Sequence, residues 1–183
     1  MNETLSQQIL HLKGEYLDFD FPPQHKRKER RKRDIGVCAA NLLDVRDILH
    51  KYDMQFFLMY GTLLGAIRGD GFIEHDTDTD LGLFEESKEG FIKVVMELRD
   101  KGFSLIRTAC NDNIISLMRD MEYIDFIFFK HENLPFSNFI EYDFIGVPFW
   151  IPDNTEELLT AWYGDWENPE ENRHAQIIYG IDI

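Results

Sequence analysis

The chain has 183 residues with 44% hydrophobic and 14% aromatic content, enough for one domain with a real core and too apolar for a disordered chain. Its net charge of -15 is uneven: seven basic residues crowd between Lys26 and Arg33, and outside His25–Asp34 only 12 basic residues face 32 acidic ones. That acidic body argues against nonspecific nucleic-acid binding, and no apolar run approaches the roughly 20 residues that span a bilayer.

Residues 1–34 read as an N-terminal arm, with a short helix around Leu5 to Lys13 and a break at Phe21-Pro22-Pro23. The N-terminus lacks a basic-then-apolar signal pattern, so a cytoplasmic location is the default expectation. The basic run has two readings. It is a solvated helix start or linker, or it makes peripheral contact with an anionic surface such as lipid, nucleic acid or glycan. Residues 35–183 read as the folded domain. Ile35 to Tyr52 carries Val37, Leu42, Val45, Ile48 and Leu49 at helical spacing. Gln55 to Tyr60 fits a buried strand, and Gly61-Thr62 turns it into a short helical stretch ending near Arg68.

Asp78 to Phe84 alternates as a strand does. Ser87 is a plausible N-cap for a helix running to Lys101, with Gly102 as C-cap. Three strands are expected next, at Phe103–Thr108, Asn113–Arg119 and Tyr123–Lys130, separated by Asn/Asp-rich turns. A hairpin centred on Gly146 spans Phe139 to Ile151, and Asn154 or Thr155 caps a last helix to Tyr163. The two cysteines, Cys38 and Cys110, form no metal motif and read as free thiols. The element order implies an α+β fold, a small mixed β-sheet flanked by helices.

The chemistry concentrates in Tyr60–Leu81. Side chains at i and i+2 share one face of a strand, so Asp78 and Asp80 point the same way and can hold a divalent ion. Hard carboxylate oxygens suit Mg²⁺ or Mn²⁺, ions that commonly work on phosphates. A third carboxylate is expected from a neighbouring strand. Asp125 is the candidate, because an acid inside Tyr123-Ile124-Asp125-Phe126-Ile127-Phe128-Phe129 needs a partner or a metal. The plainer alternative for Asp78 and Asp80 is a turn rich in capping aspartates, and for Asp125 a salt-bridged core acid. Asp76 reads as an outer neighbour or a turn residue. Gly61 and Thr62 suit close phosphate approach at a helix N-terminus, and Arg68 can pair bidentately with phosphate. Arg107 and Arg119 lie on expected strands near the acids, where they would offset negative charge or sit exposed on the sheet.

The block YGTLLGAIRGDGFIEHDTDTDLGL, with Tyr123-Ile124-Asp125-Phe126 downstream, resembles the signature of the LicD family, which includes the fukutin-related proteins of the nucleotidyltransferase-fold superfamily. Ile151-Pro152-Asp153-Asn154, Leu158-Leu159, Tyr163-Gly164-Asp165-Trp166 and Pro169 resemble that family's C-terminal element. The pattern departs at His75 and Thr77, where the family often has a tryptophan and another acid. The resemblance implies a nucleotidyltransferase-like fold, with Asp78, Asp80 and Asp125 as catalytic metal ligands. Gly61, Thr62, Arg68 and Asp165 would then bind donor or phosphate. It implies transfer of a phospho-substituent, phosphocholine or a phospho-polyol, from a CDP-linked donor to a sugar hydroxyl of a glycan acceptor. Two alternatives are a nucleotidyltransferase placing NMP on a small molecule or protein, and a non-catalytic nucleotide-binding module.

Overall fold

The computed structural model describes residues 7–12, 15–20, 32–69, 71–110 and 113–168. The basic residues Lys26 to Arg31, the turn at Asn111-Asp112, Pro169 and His174 lie outside them. The chain runs through β1 (Gln7–Leu12), β2 (Glu15–Asp20), α1 (Ile35–Lys51), β3 (Phe56–Leu58), α2 (Tyr60–Arg68), β4 (Asp78–Phe84) and α3 (Phe91–Asp100). It continues with β5 (Ser104–Ala109), β6 (Ile114–Arg119), β7 (Glu122–Phe129), β8 (Phe139–Phe144), β9 (Val147–Pro152) and α4 (Thr155–Tyr163).

The main sheet has five strands in the order β3-β4-β7-β6-β5. The β4–β7 pair is parallel, and β3–β4, β7–β6 and β6–β5 are antiparallel. The expected α+β architecture with a small mixed sheet is therefore the fold. A parallel pair needs a long crossover, and α3, β5 and β6 supply it between β4 and β7. Two further antiparallel pairs, β1–β2 and β8–β9, stand as separate two-stranded sheets.

Alternation along the parallel pair sorts the side chains onto two faces. Glu122, Ile124, Phe126 and Phe128 of β7 face the helices. Phe91 of α3 packs edge-on against Phe126 and Phe128, with ring centroids 5.1 and 5.0 Å apart. From α1, Cys38 Sγ lies 3.4 Å from Glu122 Oε2, and Asn41 donates to the Arg119 carbonyl. On the opposite face Gly82 lies under Phe57, where a Cβ would come within 2.2 Å of the ring. The Phe57 ring then meets Phe84, Phe129, Phe136 and Phe139. One half of that second face is thus closed by an aromatic cluster, and the N-terminal end of β4 is left to the acids.

Most expected elements fall within a residue or two of their observed bounds, and three details differ. Gln7–Leu12 is a strand paired with Glu15–Asp20, not a helix; six residues are too few to separate a period of 3.6 from a period of 2. Helix α3 begins at Phe91, because Glu85–Lys88 forms a 3₁₀ turn and Gly90 (φ 80°) turns left-handed ahead of it, so Ser87 caps nothing. Asn154 occupies the N-cap position of α4 but makes no cap bond there, its Nδ2 donating instead to the Pro135 carbonyl.

Candidate active site at the head of the parallel strand pair

The site is built by register. Asp80 on β4 is paired with Asp125 on β7, Asp125 with Ser116 on β6, and Ser116 with Arg107 on β5. These four side chains form one row across four strands, on the face turned away from α1 and α3. Asp78 and Asp76 precede Asp80 along the chain, and single ligand oxygens of Asp76, Asp78 and Asp80 lie within 4.8 Å of one another. Asp80 and Asp125 are buried. Burial, reinforced by Asp78, Asp76 and Asp125, pushes the Asp80 carboxyl well above the usual range, with Arg33 pulling the other way.

Asp125 lies outside that three-acid group. Its Oδ2 accepts from Arg107 Nη2 at 2.7 Å, while Arg107 Nε donates to Ser116 Oγ at 2.8 Å. The sequence expectation that a buried Asp125 needs a partner or a metal is thus met, in this structure, by an ion pair.

Helix α2 presents its N-terminal turn to the acids. The Asp80 amide donates to Thr62 Oγ1 at 2.8 Å, and the Met59 amide to the Asp80 carbonyl at 3.3 Å. Thr62 is buried, so its hydroxyl ties α2 to β4. Gly61 has a specific steric duty: a Cβ there would lie 2.0 Å from Asp76 Oδ2. The missing side chain leaves the space that the Asp76 carboxylate occupies. First-turn amides of a helix have no acceptor within the helix, so this end remains suited to an anion.

Arg68 and Asp165 sit differently from the acids. Arg68, at the far end of α2, donates through Nε to the Trp166 carbonyl at 2.8 Å, and its Nη2 approaches the same oxygen. Asp165 accepts from Asn168 Nδ2 on both oxygens at 3.1 Å. In this arrangement Arg68 ties α2 to the segment after α4, and Asp165 stabilises the turn that follows.

One participant escaped the sequence reading. Arg33 closes the basic run yet is buried. Its Nη1 donates to the Asp78 carbonyl (2.8 Å), its Nη2 to Thr79 Oγ1 (2.6 Å), and its Nε lies 3.5 Å from Glu122 Oε2. It therefore grips the Asp-x-Asp strand from the helix side. The only available signal was its place as the last cation before a predicted helix. Tyr163, which the sequence places in the C-terminal element, ends α4. Burial raises its phenol, and the negative charge of Asp80 and Asp76 raises it further. The neighbouring Trp162 packs on Tyr60 with centroids 4.9 Å apart.

A cavity of about 700 Å³ lies elsewhere. Phe84, His131, Phe139 and Trp150 line it at the C-terminal end of β4, the opposite end from Asp78 and Asp80.

These features define a nucleotidyltransferase fold. The structure is similar to the antibiotic-resistance factor ANT(2'')-Ia in solution, with a TM-score of 0.52 and 13% identity over 64% of this chain and 65% of that one. It is similar also to the crystal structure of ANT(2'')-Ia in complex with adenylyl-2''-tobramycin, with a TM-score of 0.53 and 14% identity over 74% and 80%. At such identity the likeness speaks for the fold. Residues 53–143 match the family model of the LicD/FKTN/FKRP nucleotidyltransferase domain. Among relatives, an uncharacterized protein of Rickettsia prowazekii is 23% identical over 143 residues, 68% of this chain and 53% of that protein. An uncharacterized protein of Caenorhabditis elegans is 30% identical over 157 residues, 70% of this chain and 41% of that one. The chain spans about half the length, or less, of the curated relatives it matches. No helix among the described residues is long and apolar enough to cross a membrane.

The donor set fits a divalent cation. It offers three clustered carboxylates with only hard oxygen ligands, and a glycine that makes room for one of them. A positive charge here would also relieve the repulsion that raises the Asp80 carboxyl.

Proposed function

We propose that the chain is a transferase that moves a phospho-substituent, of the phosphocholine or phospho-polyol type, from a CDP-activated donor to a sugar hydroxyl. The observation that carries this reading is the pairing of Asp80 with Asp125 across parallel strands, beside the N-terminal turn of α2, in a segment that matches the LicD family model. The domain division proposed with it is an arm over residues 1–34 and a catalytic unit over 35–183.

Asp76, Asp78 and Asp80 would hold Mg²⁺ or Mn²⁺, with Asp125 contributing from the next strand. Bound there, the cation neutralises donor phosphate oxygens and the charge that builds on the leaving group. The remaining work belongs to the chain. The amides of Gly61 and Thr62 face the donor diphosphate at the positive end of α2. Tyr163 and the Tyr60–Trp162 pair wall the approach to the acids. Arg68 and Asp165 remain proposed donor contacts, which requires Arg68 to exchange the Trp166 carbonyl for phosphate. The acceptor hydroxyl oxygen bonds to the phosphorus that carries the head group, the bridge to CMP breaks, and Asp125 takes the hydroxyl proton.

Nucleotidyl transfer is the second reading. It uses the same acids and differs in which half of the donor moves. The likeness to a protein solved with an adenylylated aminoglycoside favours keeping it. Incubation with CDP-choline, CTP and ATP in Mg²⁺, each with a sugar acceptor, followed by mass spectrometry of the products, separates the two. A phosphocholine-sized mass increment with CMP release supports the first. An NMP increment with pyrophosphate release overturns it in favour of the second.

A further inference from the structure

Arg107 stands out once the register is drawn. Leu105 pairs with Leu117, but Arg107 pairs with Ser116, so Ile106 is an extra residue and β5 carries a bulge directly before the arginine. Without that bulge Arg107 would oppose Ile115, whose side chain is buried on the helix face. Bulges re-aim side chains in this way. Here the bulge turns a cation onto the acid face, in line with Ser116, Asp125 and Asp80.

The guanidinium then reaches across β6. Nε is held by Ser116 Oγ at 2.8 Å and Nη2 meets Asp125 Oδ2 at 2.7 Å. Burial differs sharply between the partners: the Arg107 side chain is 47% exposed and that of Asp125 only 7%. A buried carboxylate needs its counter-charge, whereas a half-exposed arginine can leave at small cost because water receives it. Asp125 also stays outside the group of Asp76, Asp78 and Asp80, whose ligand atoms cluster within 4.8 Å.

We infer that Arg107 is a positioning residue: it serves as the resident counter-cation of Asp125, and it competes with a divalent ion for that carboxylate. The inference rests on the acid cluster being a cation site. Arg107 makes the fourth acid conditional. While it is docked, three acids face the ion; when it swings into solvent, Asp125 joins them. Ser116 sets the docked geometry by holding Nε.

Equilibrium binding of Mn²⁺ to the full chain, followed by the electron paramagnetic resonance signal of the free ion, tests this without any turnover. Arg107→Gln removes the competing charge while keeping a polar side chain. Its apparent Mn²⁺ affinity should rise about tenfold, toward the low end of coupling between linked sites. Arg107→Lys, which keeps a cation, should stay within twofold of wild type. Ser116→Ala should fall between them, and it serves as the second probe if Arg107→Gln folds poorly. A thermal shift adds a second readout: metal-free Arg107→Gln melts below wild type, and Mn²⁺ raises its midpoint more than that of wild type, which a purely structural role would not produce. Equal affinities in wild type, Arg107→Gln and Ser116→Ala overturn the inference and leave the cation site standing. No Mn²⁺ binding by any of these proteins overturns both.

Discussion

Asp80 and Asp125 are cross-strand partners on the two parallel strands of an otherwise antiparallel sheet. Parallel neighbours on one face bring side chains together, so two buried carboxylates meet near the head of β4. Arg33 works from behind the strand and Arg107 from the side, and an incoming cation would add positive charge. This division has consequences for stability as well as for chemistry.

Asp80 should be a stability liability in the metal-free protein. Its folded carboxyl is raised above the unfolded value of about 3.9. Above that value the folded state therefore binds more protons than the unfolded one, and stability falls as pH rises through the window between the two. In EDTA, Asp80→Asn should gain about 0.5–2 kcal/mol at neutral pH, as relief of a strained functional site commonly does. It should also flatten the pH slope and abolish Mn²⁺ binding. Urea unfolding at several pH values measures all but the last; a loss of stability in Asp80→Asn would sink this account of the carboxyl.

Arg33→Met should be costly. It leaves Glu122 buried with one partner fewer and releases the Asp78 carbonyl and Thr79 hydroxyl. Breaking a buried ion pair from one side typically costs about 3–5 kcal/mol. Adding Glu122→Gln to Arg33→Met should recover part of that loss, which denaturant titration of the single and double variants would read directly.

Gly61→Ala separates a steric duty from a phosphate-binding one. Alanine favours the helix by up to about 1 kcal/mol over glycine, so folding should survive. The new Cβ must displace the Asp76 carboxylate. Mn²⁺ affinity should drop about 10–100-fold, the usual cost of disturbing the support of a metal ligand, even with no nucleotide present. Unchanged Mn²⁺ affinity would remove Asp76 from the ligand set.

The two cysteines should differ in reactivity. Cys38 is buried against Glu122, and desolvation pushes its thiol up to about 11, so it holds little thiolate near neutrality. Cys110 is exposed. Iodoacetamide at pH 8 should alkylate Cys110 alone in the native protein and both thiols in denaturant, as peptide mapping will show.

The sequence made legible whatever depends on local periodicity. Asp78–Phe84 alternates over its whole length, and β4 has those bounds. The Gly146 hairpin and α1 were equally plain, since turn chemistry and apolar spacing are short-range properties. Long-range steric and register facts were hidden. Gly61 looked like a phosphate-approach glycine, yet its Cβ space is filled by a side chain fifteen positions later. Arg33 looked like the end of a solvated charge run, because burial of one arginine in seven cations leaves no composition signal. Arg107 could be placed near the acids, but only the bulge decides which face it takes. Arg68 could not be assigned to the Trp166 carbonyl, because that contact depends on how α4 returns to α2.

The central claim is that the acids at the head of β4 form a cation-dependent site for a CDP-linked donor. Calorimetric titration of the full chain with CDP-choline tests it most directly, in Mg²⁺, in EDTA, and with Asp80→Asn. The account predicts binding by wild type in Mg²⁺ and loss of that binding in EDTA and in Asp80→Asn. Binding that survives both EDTA and the substitution, or no binding by wild type in Mg²⁺ to this or any other CDP-linked donor, would contradict it.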